Sequence, residues 1–408
     1  MAPPPSSYAA PVSEPAAVRD PTLGAALSWL LDAAHLAPPD AVPALVDVAA
    51  RMIGADDSEI YLADYSQRTL MPVARPGQVL EPIPIDGSLA GRVFASERVS
   101  PSANGDHRLT VPLVDGSDRL GVLVVSFGEP ADEHEHRVVG LASLLASLVT
   151  NKAAYGDVFH CARRRKDMSL AAELQWQSLP PLTFRTPDVV VAGQVEPAYA
   201  VGGDLFDYAL NGDLLHLAVF DAMGHGLGSS VLAGVVIGAY RHSRRLDQSL
   251  TETAEAIDRA VADQFGSERF ATAHLSSLEV DTGILRWLCA GHPQPLLLRR
   301  DRVVKTLGSP PRLPLGLGGI AEDVGGIVVE EQLEPGDRVL MFSDGLVEAR
   351  AKGGDEFGLD RLADFLQRES ASGQGPAELM RRLVHSVLEY HGDKLQDDAT
   401  VLMVEWRP

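Results

Sequence analysis

Residues 215–234 read LHLAVFDAMGHGLGSSVLAG. An apolar run that fits a strand ends at Asp221, Gly224, Gly226 and Gly228 turn the chain, and a helical run follows over Gly228–Arg245. The spacing imitates a dinucleotide-binding turn, but the third glycine of that pattern would have to stand at Ser229, and Asp221 would repel a pyrophosphate. The stretch is therefore read as a strand that delivers a carboxylate to its exposed end. That device recurs: Gly202-Gly203-Asp204 is followed by Asp207, Asp344-Gly345 follows RVLMFS, and Asp397-Asp398 precedes ATVLMV. Any one Asp beside a strand end is a good turn residue and nothing more. Four such places, with no cysteine among them and few histidines, suit hard, oxygen-loving Mg2+ or Mn2+ better than zinc. Unneutralised, such a cluster repels itself, so a metal pair is its natural counter-charge.

Around that stretch, from about Asp188 to Pro408, β-rich runs alternate with helical ones. The strand candidates are VVVAGQV, LLHLAVF, HLSSLEV, GILRWLCA, PLLLRR, GIVVEE, RVLMFSD and ATVLMVEW; the helices are 228–245, 250–265, 358–369 and 376–391. Strands outnumber helices and follow one another hairpin fashion, which predicts a layered α+β domain and not a doubly wound one. Upstream lies a smaller α/β domain. It has two short helices between Thr22 and Ala50, a strand over Ser58–Ala63, a helix over Ser88–Ser96, and a hairpin over Arg108–Phe127 that turns at Asp115-Gly116-Ser117-Asp118. Between the domains, Val138, Leu141, Leu145, Leu148, Lys152, Tyr155, Phe159 and Ala162 recur at alternating spacings of three and four, a coiled-coil seam with one polar intruder. The helix is expected to run through the basic residues 163–166 to Leu179, where Pro180-Pro181 ends it, and to pair two chains as a homodimer. The expected organisation is a disordered Pro/Ala/Ser-rich tail (1–21), a first domain (22–150), a helical linker and switch segment (151–187), and a second domain (188–408).

Composition narrows the function. Of 408 residues, 56 are acidic and 35 are Lys or Arg, a formal charge of −21, which repels phosphate backbones and anionic headgroups. Nucleic-acid and membrane-surface binding are disfavoured, and a protein or small-molecule partner is expected. With 45% hydrophobic residues the chain can bury sizeable cores, which excludes wholesale disorder. The two cysteines, Cys161 and Cys289, make neither a disulfide framework nor a four-thiolate zinc site. No export signal is read at the N-terminus, so a cytoplasmic location is expected.

Six ordered blocks carry a resemblance. PAYAVGGDLFDY (197–208), FDAMGHGLGSSVLAG (220–234), FATAHLSSLEVDTGILRWLCAGHPQPLLL (270–298), LPLGL (313–317), LEPGDRVLMFSDGLVEAR (333–350) and DDATVLMV (397–404) resemble the bacterial sporulation stage IIE (SpoIIE-type) phosphatases of the metal-dependent protein phosphatase 2C superfamily. AELQWQSLPP (172–181) resembles the helical switch that precedes the family's catalytic core. The resemblance implies a βα-sandwich, two central sheets flanked by helices, holding two Mn2+ or Mg2+ ions. By position, Asp204, Asp221, Asp344 and Asp397 match the family's metal ligands, with Asp221 bridging and the Ala222 carbonyl a further ligand; Asp398 is assigned a supporting role behind them. Two departures stand out. The arginine that grips phosphate in eukaryotic members has no counterpart in Ala198–Val201. Met223 occupies the place of the superfamily's general-acid histidine, with His225 two residues later, read either as a leaving-group acid or as a turn residue. His292, in AGHPQP, is read as a turn histidine.

The first domain resembles a GAF sensory domain through SEIYLAD (58–64), IDGSLAGRVFASERV (85–99) and RLTVPLVDGSDRLGVLVVSF (108–127). With no cysteine in that span, covalent tetrapyrrole attachment is excluded; His35, His107, His134 and His136 are read as solvated rather than haem-ligating. A small-molecule ligand is expected. Together these resemblances imply a serine/threonine phosphatase regulated by the GAF domain, with a phosphorylated anti-sigma factor antagonist as substrate. The alternatives are a degenerate phosphatase serving as a sensory or docking protein, and a hydrolase of small phosphoesters.

Overall fold

The computed structural model describes residues 20–101, 107–128, 134–200, 202–318, 327–349, 356–392 and 398–408. Asp397 and nearly all of the expected tail lie outside the described residues. The chain divides into two compact units, one mainly within the residues up to Arg163 and one mainly from Arg164 to Pro408. Among the described residues no helix is long and apolar enough to cross a membrane.

The first unit is built from α1 (Pro21–His35), α2 (Val42–Met52), β1 (Asp57–Ala63), β2 (Thr69–Pro72), β3 (Ile83–Pro84), α3 (Leu89–Ser96), β4 (Ser100–Pro101), β5 (Arg108–Asp115), β6 (Asp118–Ser126), α4 (Glu135–Ala153) and α5 (Val158–Ala162). The tail expected to reach residue 21 ends earlier, because Asp20 accepts the amide of Thr22 at 2.9 Å and caps α1. The strands form one sheet in the order β3-β2-β1-β6-β5-β4. Alternation along β1 sends Ile60 and Leu62 to a face covered by α1, α2 and α4, and Tyr61 and Ala63 to a face covered by α3.

The linker helix requires correction. It is not continuous to Leu179: α4 stops at Ala153, and α5 is a separate short helix. A side chain at Gly156 would strike Pro39, which fixes the close turn there. The seam residues Val138, Leu141, Leu145, Leu148 and Phe159 are spent in the unit's own core. The polar intruder is explained by the same packing. Lys152 is buried, and its Nζ donates to the carbonyls of Ala37 (2.7 Å) and His35 (3.4 Å) at the end of α1. A homodimer through this seam therefore has no free apolar stripe on which to form.

The second unit contains α6 (Leu170–Ser178), β7 (Thr183–Arg185), β8 (Val189–Glu196), β9 (Asp204–Asn211), β10 (Leu214–Ala222), α7 (Leu227–Arg245), α8 (Leu250–Phe265), β11 (Ala271–Glu279), β12 (Ile284–Ala290), β13 (Leu296–Arg299), β14 (Arg302–Thr306), β15 (Val329–Gln332), β16 (Arg338–Phe342), α9 (Asp344–Val347), α10 (Gly358–Ala371), α11 (Pro376–His391) and β17 (Ala399–Trp406). Two antiparallel sheets result, β15-β12-β11-β10-β9 and β14-β13-β16-β17-β8-β7. Leu215, Leu217 and Val219 of β10 meet Leu402, Val404 and Trp406 of β17 in the core between the sheets. The opposite faces, Ala218, Phe220 and Ala222 on β10 and Val401 and Met403 on β17, pack on α7/α8 and α10/α11 respectively. Strands apolar on both faces need cover on both faces, and the outcome is the layered α+β sandwich the pattern predicts.

Candidate active site

Asp204 opens β9 and Asp221 is the last residue but one of β10, and the antiparallel register sets them directly opposite each other. Cβ atoms of such partners stand about 5 Å apart, close enough for two carboxylates to share a cation. The turn before Asp204 exists only because it is glycine. A side chain on Gly203 would press within 3.1 Å of the Ala222 carbonyl, and one on Gly202 would collide with the carbonyl of Ala171. Serines at the start of α7 pin the same turn: Ser229 Oγ donates to the Gly202 carbonyl at 3.0 Å, and Ser230 Oγ at 2.5 Å.

Asp398, just before β17, approaches from the other sheet. Its Oδ2 accepts the amides of Gly203 (2.7 Å) and Asp204 (3.3 Å), so it holds the turn in place, in keeping with a role behind the ligands. Asp344 begins α9 directly after β16. The Ser343 amide donates to the Thr400 carbonyl at 3.0 Å, which brings the end of β16 beside the start of β17. Burial together with the charges of Asp221 and Asp398 drives the Asp204 carboxyl well above the usual carboxylate range, opposed by the hydroxyls of Ser343 and Thr400. Asp204 is 2% exposed and its Oδ2 has no hydrogen-bond partner. A buried carboxylate oxygen left without a donor, facing further carboxylates and no cation, is what an oxygen-ligated divalent ion requires. Among the described residues no group of three or more His, Cys, Asp or Glu is arranged as a finished metal site, and Asp397, one expected ligand, lies outside them. Asp204, Asp221 and Asp398 come together; the donor chemistry fits Mg2+ or Mn2+.

His225 is exposed in the loop after Asp221, where Gly224 and Gly226 take φ of 93° and 75°. His292 is more than a turn residue. It is buried beside the site, with Nδ1 2.7 Å from the hydroxyl of Thr272, and Thr272 stands opposite Asp221. Burial holds His292 and the neighbouring His274 neutral, both pushed down to about 3.

One contact at the site was not legible in the sequence. Gln175 of α6 is buried and its Nε2 donates to the Asp204 backbone carbonyl at 2.7 Å. Trp176 Nε1 donates to the Ala198 carbonyl at 2.8 Å, and Ser169 Oγ to the Ala200 carbonyl at 2.8 Å. The segment resembling a switch thus grips both the loop that leads to Asp204 and Asp204 itself. A glutamine in a helical run looks like a solvated face, which is why no sequence signal singled it out.

Residues 211–407 match the family model described as Stage II sporulation protein E (SpoIIE). This region is similar to the SpoIIE-type phosphatases. The chain is 22% identical over 245 residues to phosphoserine phosphatase RsbU of Bacillus subtilis, covering 59% of this chain and 70% of that protein. It is 24% identical over 220 residues to stage II sporulation protein E of Priestia megaterium, covering 53% of this chain but only 36% of that protein. The solved RsbU and RsbW domains of a Mycobacterium tuberculosis protein align at 28% identity over 57% of this chain and 63% of that one, with a TM-score of 0.46. The family match begins at residue 211, so the Gly202-Gly203-Asp204 turn and α6 lie ahead of the matched span.

Proposed function

We propose that the chain is a metal-dependent protein serine/threonine phosphatase that acts in the cytoplasm on a phosphorylated anti-sigma factor antagonist-like protein and is regulated by its GAF-like first unit. The observation that carries this reading is the register that opposes Asp204 to Asp221, together with a buried Asp204 oxygen that has no hydrogen-bond partner. Asp204, Asp221, Asp344 and Asp397, with the Ala222 carbonyl, would hold two Mn2+ or Mg2+ ions, which when bound lower the pKa of water and shield the substrate's charge. The chain's own residues position the donors. Asp398 fixes the glycine turn by its amides, the α7 serines clamp that turn from the other side, and Gln175 holds the Asp204 backbone. No cysteine nucleophile is needed, and burial pushes the Cys289 thiol up to about 12, leaving it inert.

Regulation fits the contacts of α6. Withdrawing that helix removes the hydrogen bond to the Asp204 carbonyl and frees residues 198–200, so a displacement of α6 shifts Asp204. The first unit has an open cleft of about 260 Å3 lined by Glu59, Tyr61, Arg108 and Thr110 among others, where a small ligand could sit. Retention of the paired aspartates weighs against a degenerate docking protein. The test is phosphate release from phosphorylated antagonist proteins in Mn2+, for the full chain and for Asp221→Asn. Release by the full chain that the variant and chelator both abolish is expected; release that survives either would refute the assignment.

A further inference from the structure

The acid cluster accounts for cations and leaves the substrate's phosphate without a cationic partner in Ala198–Val201. Several arginines of the second unit are neutralised on carboxylates: Arg241 and Arg244 on Asp207, Arg299 on Asp337, Arg338 on Glu405. Arg269 differs. Its side chain takes part in no ion pair, hydrogen bond or ring contact among the described residues. Its neighbours fix its place. The Met223 amide donates to the Phe270 carbonyl at 3.1 Å, and Ala271 stands opposite Ala222. Arg269 therefore leaves the sheet at the end where Asp221 and Asp204 face each other. The guanidinium rests on the first turn of α7, where a Cβ on Gly228 would stand 3.2 Å from Nη1 and 3.3 Å from Nη2. A residue with no side chain at 228 is what admits the cation to that turn. The surrounding Met223, Gly224, His225 and Leu227 are exposed, so a solute reaches the same surface.

Building on the phosphatase reading, we propose that Arg269 binds the phosphate group of the substrate and of the released product. A guanidinium presents paired N–H donors that match two oxygens of a phosphate monoester dianion, a geometry a lysine lacks. An unpaired cation half-buried at the rim of a carboxylate cluster also supplies the attraction that the −21 chain otherwise denies an anion.

The test uses the full chain with Mn2+, a phosphoserine peptide and inorganic phosphate, for the parent, Arg269→Gln and Arg269→Lys. Kinetics give kcat and KM, titration calorimetry gives the affinities for phosphate and Mn2+, and thermal unfolding gives Tm. Arg269→Gln is expected to raise KM and the phosphate dissociation constant roughly tenfold to a hundredfold, with Mn2+ affinity and Tm unchanged and Arg269→Lys in between. Parent-like KM and phosphate affinity in Arg269→Gln would overturn the proposal, as would a rise in KM matched by an equal loss of Mn2+ affinity. Calorimetry keeps the two readings apart. A parent that binds phosphate, loses it on Arg269→Gln, and yet hydrolyses no phosphopeptide would refute the phosphatase function and uphold Arg269. A parent that hydrolyses the peptide beside an indistinguishable variant would do the reverse.

Discussion

Two buried carboxylates three residues apart on β9 have opposite surroundings. Asp207 is 1% exposed and faces α7, where Arg241 meets both its oxygens at 3.0 Å and Arg244 adds a contact at 2.9 Å. Asp204 is 2% exposed and faces Asp221 and Asp398, with no arginine against it among the described residues. The first is a charge neutralised to hold a fold together, and Arg241 extends that role by donating to the Ser178 carbonyl at the end of α6. The second is a charge kept without a protein counter-ion, which costs stability and so marks a site. Burial alone does not separate structure from function here; the sign of the neighbours does.

The sharpest way to break this contrast is to neutralise each acid. Asp221→Asn should abolish phosphopeptide turnover, measured as phosphate release, while the fold measured by circular dichroism stays intact. Asp207→Ala should instead lower stability by about 3 kcal/mol in denaturant titration, because it strands two partly buried guanidiniums, and should leave Mn2+ affinity near that of the parent. Gln175→Leu is expected to fall between them. It leaves the Asp204 carbonyl without its donor, which costs about 1–2 kcal/mol, and lowers kcat with a smaller change in global stability.

A pH series separates the histidines from the acids. His274 and His292 are held neutral in the fold at about 3 against an ordinary 6.5, so the unfolded chain binds their protons first as pH falls. Their contribution is fully present above pH 6.5 and is lost progressively below it, at up to about 1.4 kcal/mol per pH unit for each imidazole. Denaturant midpoints of the second unit should thus decline from pH 6.5 downward, and His292→Gln should flatten that decline. The smallest effect belongs to His225. Exposed and outside any hydrogen bond among the described residues, it should on replacement by Ala slow phosphoserine peptide and aryl phosphate alike, by less than about tenfold.

What the sequence made legible follows the same physics. Strands such as β10 and β17 are apolar on both faces and announced themselves, as did the aspartates set at their ends beside glycine. The strand β9 was not foreseen as one, since DLFDYALN mixes acids into its period and its pairing with β10 is a long-range fact. The linker helix was over-extended because seam residues look the same whether a second chain or the unit's own sheet covers them. Only the packing of Leu145 and Phe159 decides between those. Gln175, Thr272 and Arg269 were silent because their meaning lies in what they touch and not in any spacing along the chain.

The central claim is that Asp204 is kept buried and unneutralised for a divalent cation, and Mn2+-dependent thermal unfolding of the parent and Asp204→Asn tests it most directly. A carboxyl whose pKa is raised in the fold stabilises it at low pH and loses that contribution as pH rises, so at neutral pH the metal-free parent carries a penalty that the amide removes. The account predicts that metal-free Asp204→Asn melts above the metal-free parent, and that Mn2+ raises the melting temperature of the parent but not of the variant. A metal-free variant that melts below the parent, or one that Mn2+ stabilises to the same degree, would contradict it.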